Sequence, residues 1–250
     1  MTVADIRTRW LRGVSAPGAR LRLVCFPHAG GAASSFHDWA ALAPPTIEVT
    51  AVQYPGRQDR LADACPATME ELADAITDAV LHDPADDRPL ALFGHSMGSA
   101  AAYEVARRLA DAPGPVLTRL IVSGRARPRL TREQPPDPQP TDPEILEYVR
   151  LLDPESAAVY DHPDLRPVIM PALRADFGLL ARHRPTALHR LEIPVTACGG
   201  DRDPACAPQD LKSWSDVTSQ ELDVRIFEGN HFYLTPRKQE LLAYITSQLT

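Results

Sequence analysis

The stretch LALFGHSMGSAAAYEVARRLADA, residues 90–112, decides the fold of this chain. It opens with an apolar run typical of a buried strand and continues as a helix rich in small residues. Between the two lies a G-x-S-x-G motif, Gly94 to Gly98, with Ser96 at its centre. In a strand–turn–helix context this motif predicts a sharp, strained turn that lifts the serine above the sheet edge. Ser96 is therefore the predicted nucleophile.

Apolar runs and amphipathic stretches alternate on both sides of this motif. The runs show no regular polar alternation, which is typical of strands covered on both faces. The pattern predicts an α/β fold, doubly wound, with a mostly parallel central sheet and helices on both faces. The predicted strands are residues 21–27, 47–55, 90–94, 120–124, 194–200 and 224–229, and the predicted helices are 69–81, 97–112 and 236–249.

The alternation of strands and helices is interrupted between about Arg125 and Leu191, where no strand is predicted. The segment begins proline-rich and continues with helical stretches at residues 144–153 and 168–183. A long insertion between two core strands is typical of a lid over a site. We therefore expect one α/β domain, 1–250, with a helical lid insertion at about 125–191. The insertion could gate the site or be a fixed structural cap.

Composition narrows the function classes. The net charge is -7, which argues against a nucleic-acid surface. No run approaches the ~18 apolar residues of a membrane helix, and no secretory signal is visible. The four cysteines show no metal-binding spacing. We expect a cytoplasmic protein with no metal, no membrane and no nucleic-acid partner.

A nucleophilic serine needs a base and a residue that orients the base. His231 follows the last predicted strand, at the edge of the sheet where sites on open α/β sheets form. Its acid partner should come from the loop after residues 194–200, where Asp201 and Asp203 compete. Asp203 is preferred because it lies farther from the strand end, within reach of the histidine loop, whereas Asp201 could hold the turn. The order Ser, Asp, His is that of the α/β-hydrolase fold.

An oxyanion hole requires two backbone N–H donors. One should be Met97, which follows the nucleophile. The other should come from the loop after the first core strand, where Gly30 and Gly31 allow close approach of a substrate. Ala29 is the preferred second donor, and His28 is the alternative.

Five motifs together resemble type II thioesterases, the stand-alone editing enzymes of polyketide and nonribosomal peptide synthesis. They are FPHAGG (26–31), QYPGRQDR (53–60), FGHSMG (93–98), GGDRDP (199–204) and GNHFYL (229–234). The resemblance implies hydrolysis of thioesters on the phosphopantetheine arms of acyl or peptidyl carrier proteins. It also implies a triad of Ser96, Asp203 and His231, with Ala29 and Met97 as oxyanion donors. No cofactor is expected, since the arm belongs to the substrate, and a monomer is expected.

Two other functions remain open from the residues. A carboxylesterase or lipase acting on small diffusible esters would use the same elbow, although FPHAGG differs from the HGGG-type loop of many such enzymes. A binding protein on a hydrolase fold would not need an intact triad. Two arginine clusters could meet an acidic carrier protein or could form internal salt bridges. They are Arg57 with Arg60, and Arg125 with Arg127, Arg129 and Arg132.

Overall fold

The central element is a twisted sheet, seen in a computed structural model that describes residues 8–81, 86–130, 133 and 139–249. Within these residues seven strands form one sheet in the order β1-β3-β2-β4-β5-β6-β7. The strands are β1 Leu11–Gly13, β2 Leu21–Phe26, β3 Ile47–Val52, β4 Leu90–His95, β5 Leu117–Ser123, β6 Val195–Gly200 and β7 Leu222–Phe227.

All neighbouring pairs from β3 to β7 are parallel, and β1 alone runs antiparallel, pairing Leu11 with Val52. The mostly parallel sheet is therefore confirmed. The short edge strand β1 was not predicted. β5 begins at Leu117, before the predicted start at Leu120, and β3 ends at Val52 rather than Pro55.

Helices cover both faces of this sheet, as predicted. In the described residues the α-helices are α1 Trp39–Leu42, α2 Met69–Leu81, α3 Met97–Asp111, α4 Asp142–Leu152, α5 Pro154–Ala157, α6 Arg166–Arg182 and α7 Lys238–Ser247. Pro236 lies in a turn before α7 and not inside it, which corrects the predicted helix start. A 3₁₀ segment at Pro208–Val217, which the sequence did not predict, packs beside β6 and β7.

The core has two layers, one on each face of the sheet. Apolar side chains of α2 and α3 pack on one face together with Trp214. On the other face, Trp39 of α1 packs with Leu241 and Ile245 of α7. Strand β4 is buried along its whole length between these layers. The serine that follows β4 is therefore held by the most rigid part of the molecule.

Between β5 and β6 the described residues include three helices, α4, α5 and α6, and a 3₁₀ turn at Ala158–Asp161. These four elements form what we call the helical insertion. It has a small apolar cluster of its own, in which Ile145 and Leu146 of α4 pack against Met170 and Leu173 of α6. Ala29, from the loop after β2, packs against the same cluster. The insertion therefore rests on the loop that was predicted to supply an oxyanion donor.

The strand order explains where a site can form. The chain moves from β2 outward to β3, then returns to place β4 on the other side of β2. Ligands bind open α/β sheets at such a reversal, outside the carboxyl ends of the strands. Here those ends carry the loop after Phe26 and the turn at Ser96, which are thereby neighbours. Among the described residues, no helix has the length and apolar character needed to cross a membrane.

Candidate active site

The turn at Ser96 is strained. Its backbone has φ 54° and ψ −114°, a region that non-glycine residues rarely occupy. The Ser96 N–H donates to the carbonyl of Ser123 at 2.7 Å, which ties the turn to the neighbouring strand β5. Ser96 also stands at the N-terminus of α3, where the helix dipole favours developing negative charge. The strained turn expected at Ser96 is confirmed.

The two glycines of the motif are required by close backbone contacts. A Cβ on Gly94 would lie 2.1 Å from the carbonyl oxygen of Gly98. A Cβ on Gly98 would lie 2.0 Å from the carbonyl oxygen of Phe26. Cβ atoms do not approach other heavy atoms to these distances in real proteins. The overlap could not be relieved by a change of rotamer, because the atoms that it involves belong to the backbone. The glycines therefore allow α3 to begin directly against the ends of β2 and β4.

His231 and Asp203 form a buried hydrogen-bonded pair. His231 Nδ1 lies 2.8 Å from Asp203 Oδ2, and the two side chains are 1% and 0% exposed. The other carboxylate oxygen accepts the N–H of Ala205 at 2.8 Å. An ionised carboxylate only accepts hydrogen bonds, so the proton is on Nδ1 and the lone pair of the neutral ring is on Nε2. That Nε2 is buried and has no hydrogen-bond partner among the described residues.

The competing aspartate has a different task. Asp201 is exposed, and its Oδ1 accepts the N–H of Gly229 at 2.8 Å. This bond links the loop after β6 to the loop after β7. The structure thus places Asp203 at the imidazole and Asp201 in the turn.

The loop after β2 forms a tight turn beside the serine. The N–H of Gly31 donates to the carbonyl of His28 at 2.9 Å, and Gly30 at the third position has φ 77°. This positive φ is that of a type II turn and suits glycine. Ala29 occupies the second position of the turn. Met97 is the first residue of α3, so the helix itself cannot satisfy its backbone N–H.

A cavity of about 170 Å³ opens onto these groups. The sheet side supplies Ser96, His231, Phe232 and the turn at His28 and Ala29. The helical insertion supplies an apolar wall that includes Leu152, Val159, Tyr160, Phe177 and Leu180. Arg125, at the end of β5, also lines the cavity. The serine and the imidazole therefore face one enclosed, largely apolar space.

A second serine–histidine pair lies beneath the cavity and was not predicted. His95 Nδ1 is 2.9 Å from Ser123 Oγ, which in turn is 2.7 Å from Tyr233 Oη. His95 and Ser123 are fully buried, so this pair cannot contact a substrate and has a structural role. The ring of His95 packs against that of His231 at 4.9 Å between centroids. Burial, together with the neighbouring rings of His231 and His28, holds the pKa of His95 well below its ordinary value.

His28 completes a group of three packed histidine rings. Its ring lies edge-on to Phe232 at 4.8 Å and to His95 at 6.0 Å. Burial is the largest cause that lowers the pKa of His28 to about 4, and His231 and Arg57 add to it. His28 and His95 are therefore neutral near pH 7, which avoids like charges around His231. The sequence signal was the occurrence of histidine in three of the five motifs, FPHAGG, FGHSMG and GNHFYL.

His183 and three arginines of the two clusters, Arg57, Arg60 and Arg127, form ion pairs or hydrogen bonds within the protein. His183 Nε2 is 3.1 Å from a carboxylate oxygen of Glu104, and both are buried. Arg57 and Arg60 are also buried, so the alternative of internal salt bridges is correct for this cluster. Arg127 pairs with Glu133 and Asp216, each at 2.9 Å. Arg132 lies outside the described residues.

Comparison with known proteins identifies the fold and the family. The family model described as thioesterase domain matches residues 21–249. Thioesterase PikA5 of Streptomyces venezuelae is 37% identical over 96% of this chain and 85% of its own length. A probable cadicidin biosynthesis thioesterase of Streptomyces griseus is 39% identical over 94% of this chain, which spans 64% of that relative's length. The structure of BorB, a type II thioesterase from the borrelidin biosynthetic cluster, superposes with a TM-score of 0.83. BorB is 35% identical to this chain, and the superposition covers 96% of this chain and 98% of BorB.

The parallel sheet, the strained serine turn and the matching structures define an α/β-hydrolase. Within that class the chain belongs to the thioesterase family. It is a thioester hydrolase of the type II kind, the editing thioesterases of polyketide and nonribosomal peptide biosynthesis.

Proposed function

We propose that this enzyme hydrolyses acyl thioesters held on the phosphopantetheine arms of acyl or peptidyl carrier proteins, with Ser96, His231 and Asp203 as its catalytic triad. The observation that carries the proposal is the buried 2.8 Å bond from His231 to Asp203. It leaves the opposite ring nitrogen without a hydrogen-bond partner among the described residues, and His231 and Ser96 line the same cavity. A base with a free lone pair and a strained, partly buried serine on one cavity are the groups that nucleophilic acyl transfer needs.

The first half of the reaction is acylation of the serine. Ser96 Oγ attacks the thioester carbonyl while His231 Nε2 takes the hydroxyl proton. The imidazolium that forms is stabilised by Asp203, which remains ionised. As the tetrahedral intermediate collapses, the carbon–sulfur bond breaks, and Nε2 returns the proton to the departing sulfur. The products of this half are an acyl-serine ester and the free thiol of the arm.

Negative charge on the carbonyl oxygen is stabilised by backbone N–H groups. Met97 supplies one, aided by the N-terminus of α3. Ala29 supplies the other from the type II turn, which faces the same cavity. Removing one such donor in other enzymes costs about 10²–10³ in kcat. Ser96 needs both because its attack creates a full charge in a largely apolar space.

The second half is hydrolysis of the acyl-serine ester. Water enters where the thiol left, His231 Nε2 removes its proton, and the hydroxide attacks the ester carbonyl. Collapse of the second intermediate returns the proton to Ser96 Oγ and releases the carboxylic acid. The neutral rings of His28 and His95 fit this cycle, because a second positive charge beside the imidazolium would oppose its formation.

The helical insertion acts in this scheme as a lid on a single α/β domain. The acyl chain lies against the apolar wall that the insertion forms. The phosphopantetheine arm and its carrier protein lie on the opposite side of the thioester, away from this wall. A thioester carbonyl has less resonance stabilisation than an ester carbonyl, and a thiol is the better leaving group. The same triad is therefore more active on a thioester of equal chain length.

Release of free thiol from a butyryl-N-acetylcysteamine thioester tests the triad directly. Wild type should hydrolyse it, and Ser96→Ala should fall to the rate of the uncatalysed reaction. Fluorophosphonate labelling of wild type and not of Ser96→Ala assigns the nucleophile independently. Hydrolysis and labelling that persist in Ser96→Ala would refute the assignment.

The substrate class is tested with three acyl donors of equal chain length. These are a butyryl carrier protein, the butyryl-N-acetylcysteamine thioester and ethyl butyrate, whose leaving group is an ordinary alcohol. The proposal expects kcat/KM to fall in that order. An ethyl ester that is turned over better than both thioesters would favour a carboxylesterase instead.

A further inference from the structure

A buried ion pair joins the helical insertion to the loop after β3. Arg57, in the loop after β3, donates to both carboxylate oxygens of Asp176 on α6, with distances of 2.6 Å and 2.8 Å. The two side chains are 8% and 4% exposed. Burial acts to lower the pKa of Arg57, but Asp176 more than offsets it, so that pKa lies above its ordinary value. The guanidinium of Arg57 is therefore charged at neutral pH.

Both partners also hold the backbone of the turn at His28–Gly31. The N–H of Gly30 donates to Asp176 Oδ2 at 2.7 Å. Arg57 Nη1 donates to the carbonyl of Gly31 at 3.0 Å. The carboxylate therefore binds a donor of the turn and the guanidinium binds an acceptor of the same turn. Neither contact touches the cavity, so the pair acts on the loop from behind.

The hydrogen bond to Gly30 selects the conformation of this turn. The N–H of Gly30 belongs to the central peptide, between Ala29 and Gly30. That peptide rotates by roughly 150° or more between a type I and a type II turn. In the observed turn, with φ 77° at Gly30, the N–H points to Asp176. Rotation of the peptide would turn this N–H away and present the carbonyl of Ala29 to the carboxylate, which repels it.

Stability alone is a weak reason for this arrangement. Burying two charges costs desolvation energy, and apolar residues of similar volume are often as stabilising or more so. What the pair provides that apolar residues cannot is a directed acceptor and a directed donor. For Arg57 of the YPGR motif, the sequence left open a contact with a carrier protein or an internal salt bridge, and the structure shows the internal salt bridge.

We propose that Asp176 and Arg57 are positioning residues for acyl transfer, which hold the turn at His28–Gly31 in its place beside the cavity through Gly30 and Gly31. The Ala29 N–H belongs to the peptide that precedes the central one, and it moves with the turn, so the pair keeps this donor at the developing oxyanion. This inference rests on the proposed function, in which Ala29 is an oxyanion donor. The pair does not touch the reacting atoms. It acts through the turn, and its loss lowers the rate of the chemical step without weakening substrate binding.

The main test is the double variant Arg57→Met/Asp176→Leu, which removes both charges and leaves apolar side chains in their place. Its thermal unfolding midpoint and circular dichroism should remain close to those of wild type. Its kcat on a butyryl thioester should fall by roughly 10²-fold with KM little changed, as for a lost oxyanion donor. Affinity for an acyl trifluoromethyl ketone, which forms a tetrahedral adduct with serine, should fall in proportion to kcat/KM.

Arg174→Gln is the matched control, because it removes an ion pair on the same helix that does not reach the turn. Arg174 pairs with Asp142 at 2.8 Å on the exposed side of α6. This variant should keep wild-type kcat. A double variant with wild-type kcat and ketone affinity would overturn the inference.

Arg57→Lys covers the case in which the double variant fails to fold. Lysine keeps the charge but cannot donate to both oxygens of Asp176 and to the Gly31 carbonyl in one plane. It should lower kcat with KM unchanged, and a wild-type kcat would overturn the inference. A failure of the proposed function is distinguishable, since wild type itself would then not hydrolyse the thioester through Ser96.

Discussion

The α-carbon of Gly98 lies so close to Phe26 that a Cβ there would approach the Phe26 carbonyl oxygen to 2.0 Å. Gly98 is the second residue of the helix that follows the serine, and Phe26 ends the strand that precedes the turn with Ala29. One close backbone contact therefore sets the distance between the proposed nucleophile and the proposed second oxyanion donor.

Gly98→Ala should disrupt both stability and activity. Backbone overlap of this kind cannot be relieved by a rotamer change, so it costs about 1–3 kcal/mol or more. For a chain of this size we expect the melting temperature to fall by roughly 5–10 °C. Labelling of Ser96 by a fluorophosphonate should slow in the same variant.

Gly18→Ala is the control for that substitution, since a Cβ there would meet nothing within 4 Å. Gly18→Ala should have the melting temperature of wild type, and the fluorophosphonate should label its Ser96 at the wild-type rate. A Gly98→Ala protein that behaves like Gly18→Ala would contradict the close contact.

Replacing the two aspartates after β6 separates catalysis from turn structure. Asp203→Asn should lower kcat by about 10⁴-fold, because an amide at this position favours the wrong tautomer of His231. Asp201→Asn keeps an oxygen that can accept the N–H of Gly229, so its kcat should stay within a few-fold of wild type. Steady-state kinetics on one thioester compares them. Equal losses in both variants would remove the distinction.

The features that the sequence predicts well are those encoded by neighbouring residues. β4, the serine turn and α3 lie in one continuous stretch, where apolar length, two glycines and small residues combine. β2 and β6 are short, largely apolar runs that are buried along their whole length, so the local pattern and the final packing agree. β7 spans Leu222–Phe227 rather than the predicted 224–229, and it is mostly half-buried.

The features that it does not predict depend on distant partners. β1 has only three residues with mixed burial, so no periodicity marks it, and pairing with β3 alone makes it a strand. Arg57 looks like a surface residue until Asp176, 119 residues later, is placed beside it. The pair of His95 and Ser123 likewise joins residues from two adjacent strands. Local patterns contain no information about such pairings.

Stability at acid pH should depend on His28. Its pKa is about 4 in the folded protein and near 6.5 when unfolded, so between these values the unfolded chain binds the extra proton. Protonation therefore favours unfolding, and His28 costs stability progressively as pH falls from about 6.5 to 4. Its effect should reach about 3 kcal/mol at pH 4, with little contribution above pH 7.

His28→Gln removes this titration and keeps a polar side chain of similar length. Urea unfolding of both proteins at several pH values measures the difference. The stability of the variant relative to wild type should rise as pH falls through this window. A difference that is constant from pH 7 to pH 4 would show that His28 keeps an ordinary pKa.

Acyl chain preference should follow the wall formed by the helical insertion. The cavity of about 170 Å³ is small for a long acyl chain, and Phe177 of α6 forms part of its lining. Phe177→Ala opens space next to Tyr148, whose ring now lies edge-on to it at 5.8 Å between centroids. Each methylene buried in new apolar space contributes about 0.8 kcal/mol.

The ratio of kcat/KM for octanoyl to butyryl thioesters should therefore rise in Phe177→Ala by roughly 10-fold or more, since even two newly buried methylenes suffice for that change. Val116→Ala is a suitable control, because Val116 is 67% exposed and is not part of the cavity lining. An unchanged ratio in Phe177→Ala would mean that the acyl chain lies elsewhere and that the cavity holds the pantetheine side of the substrate.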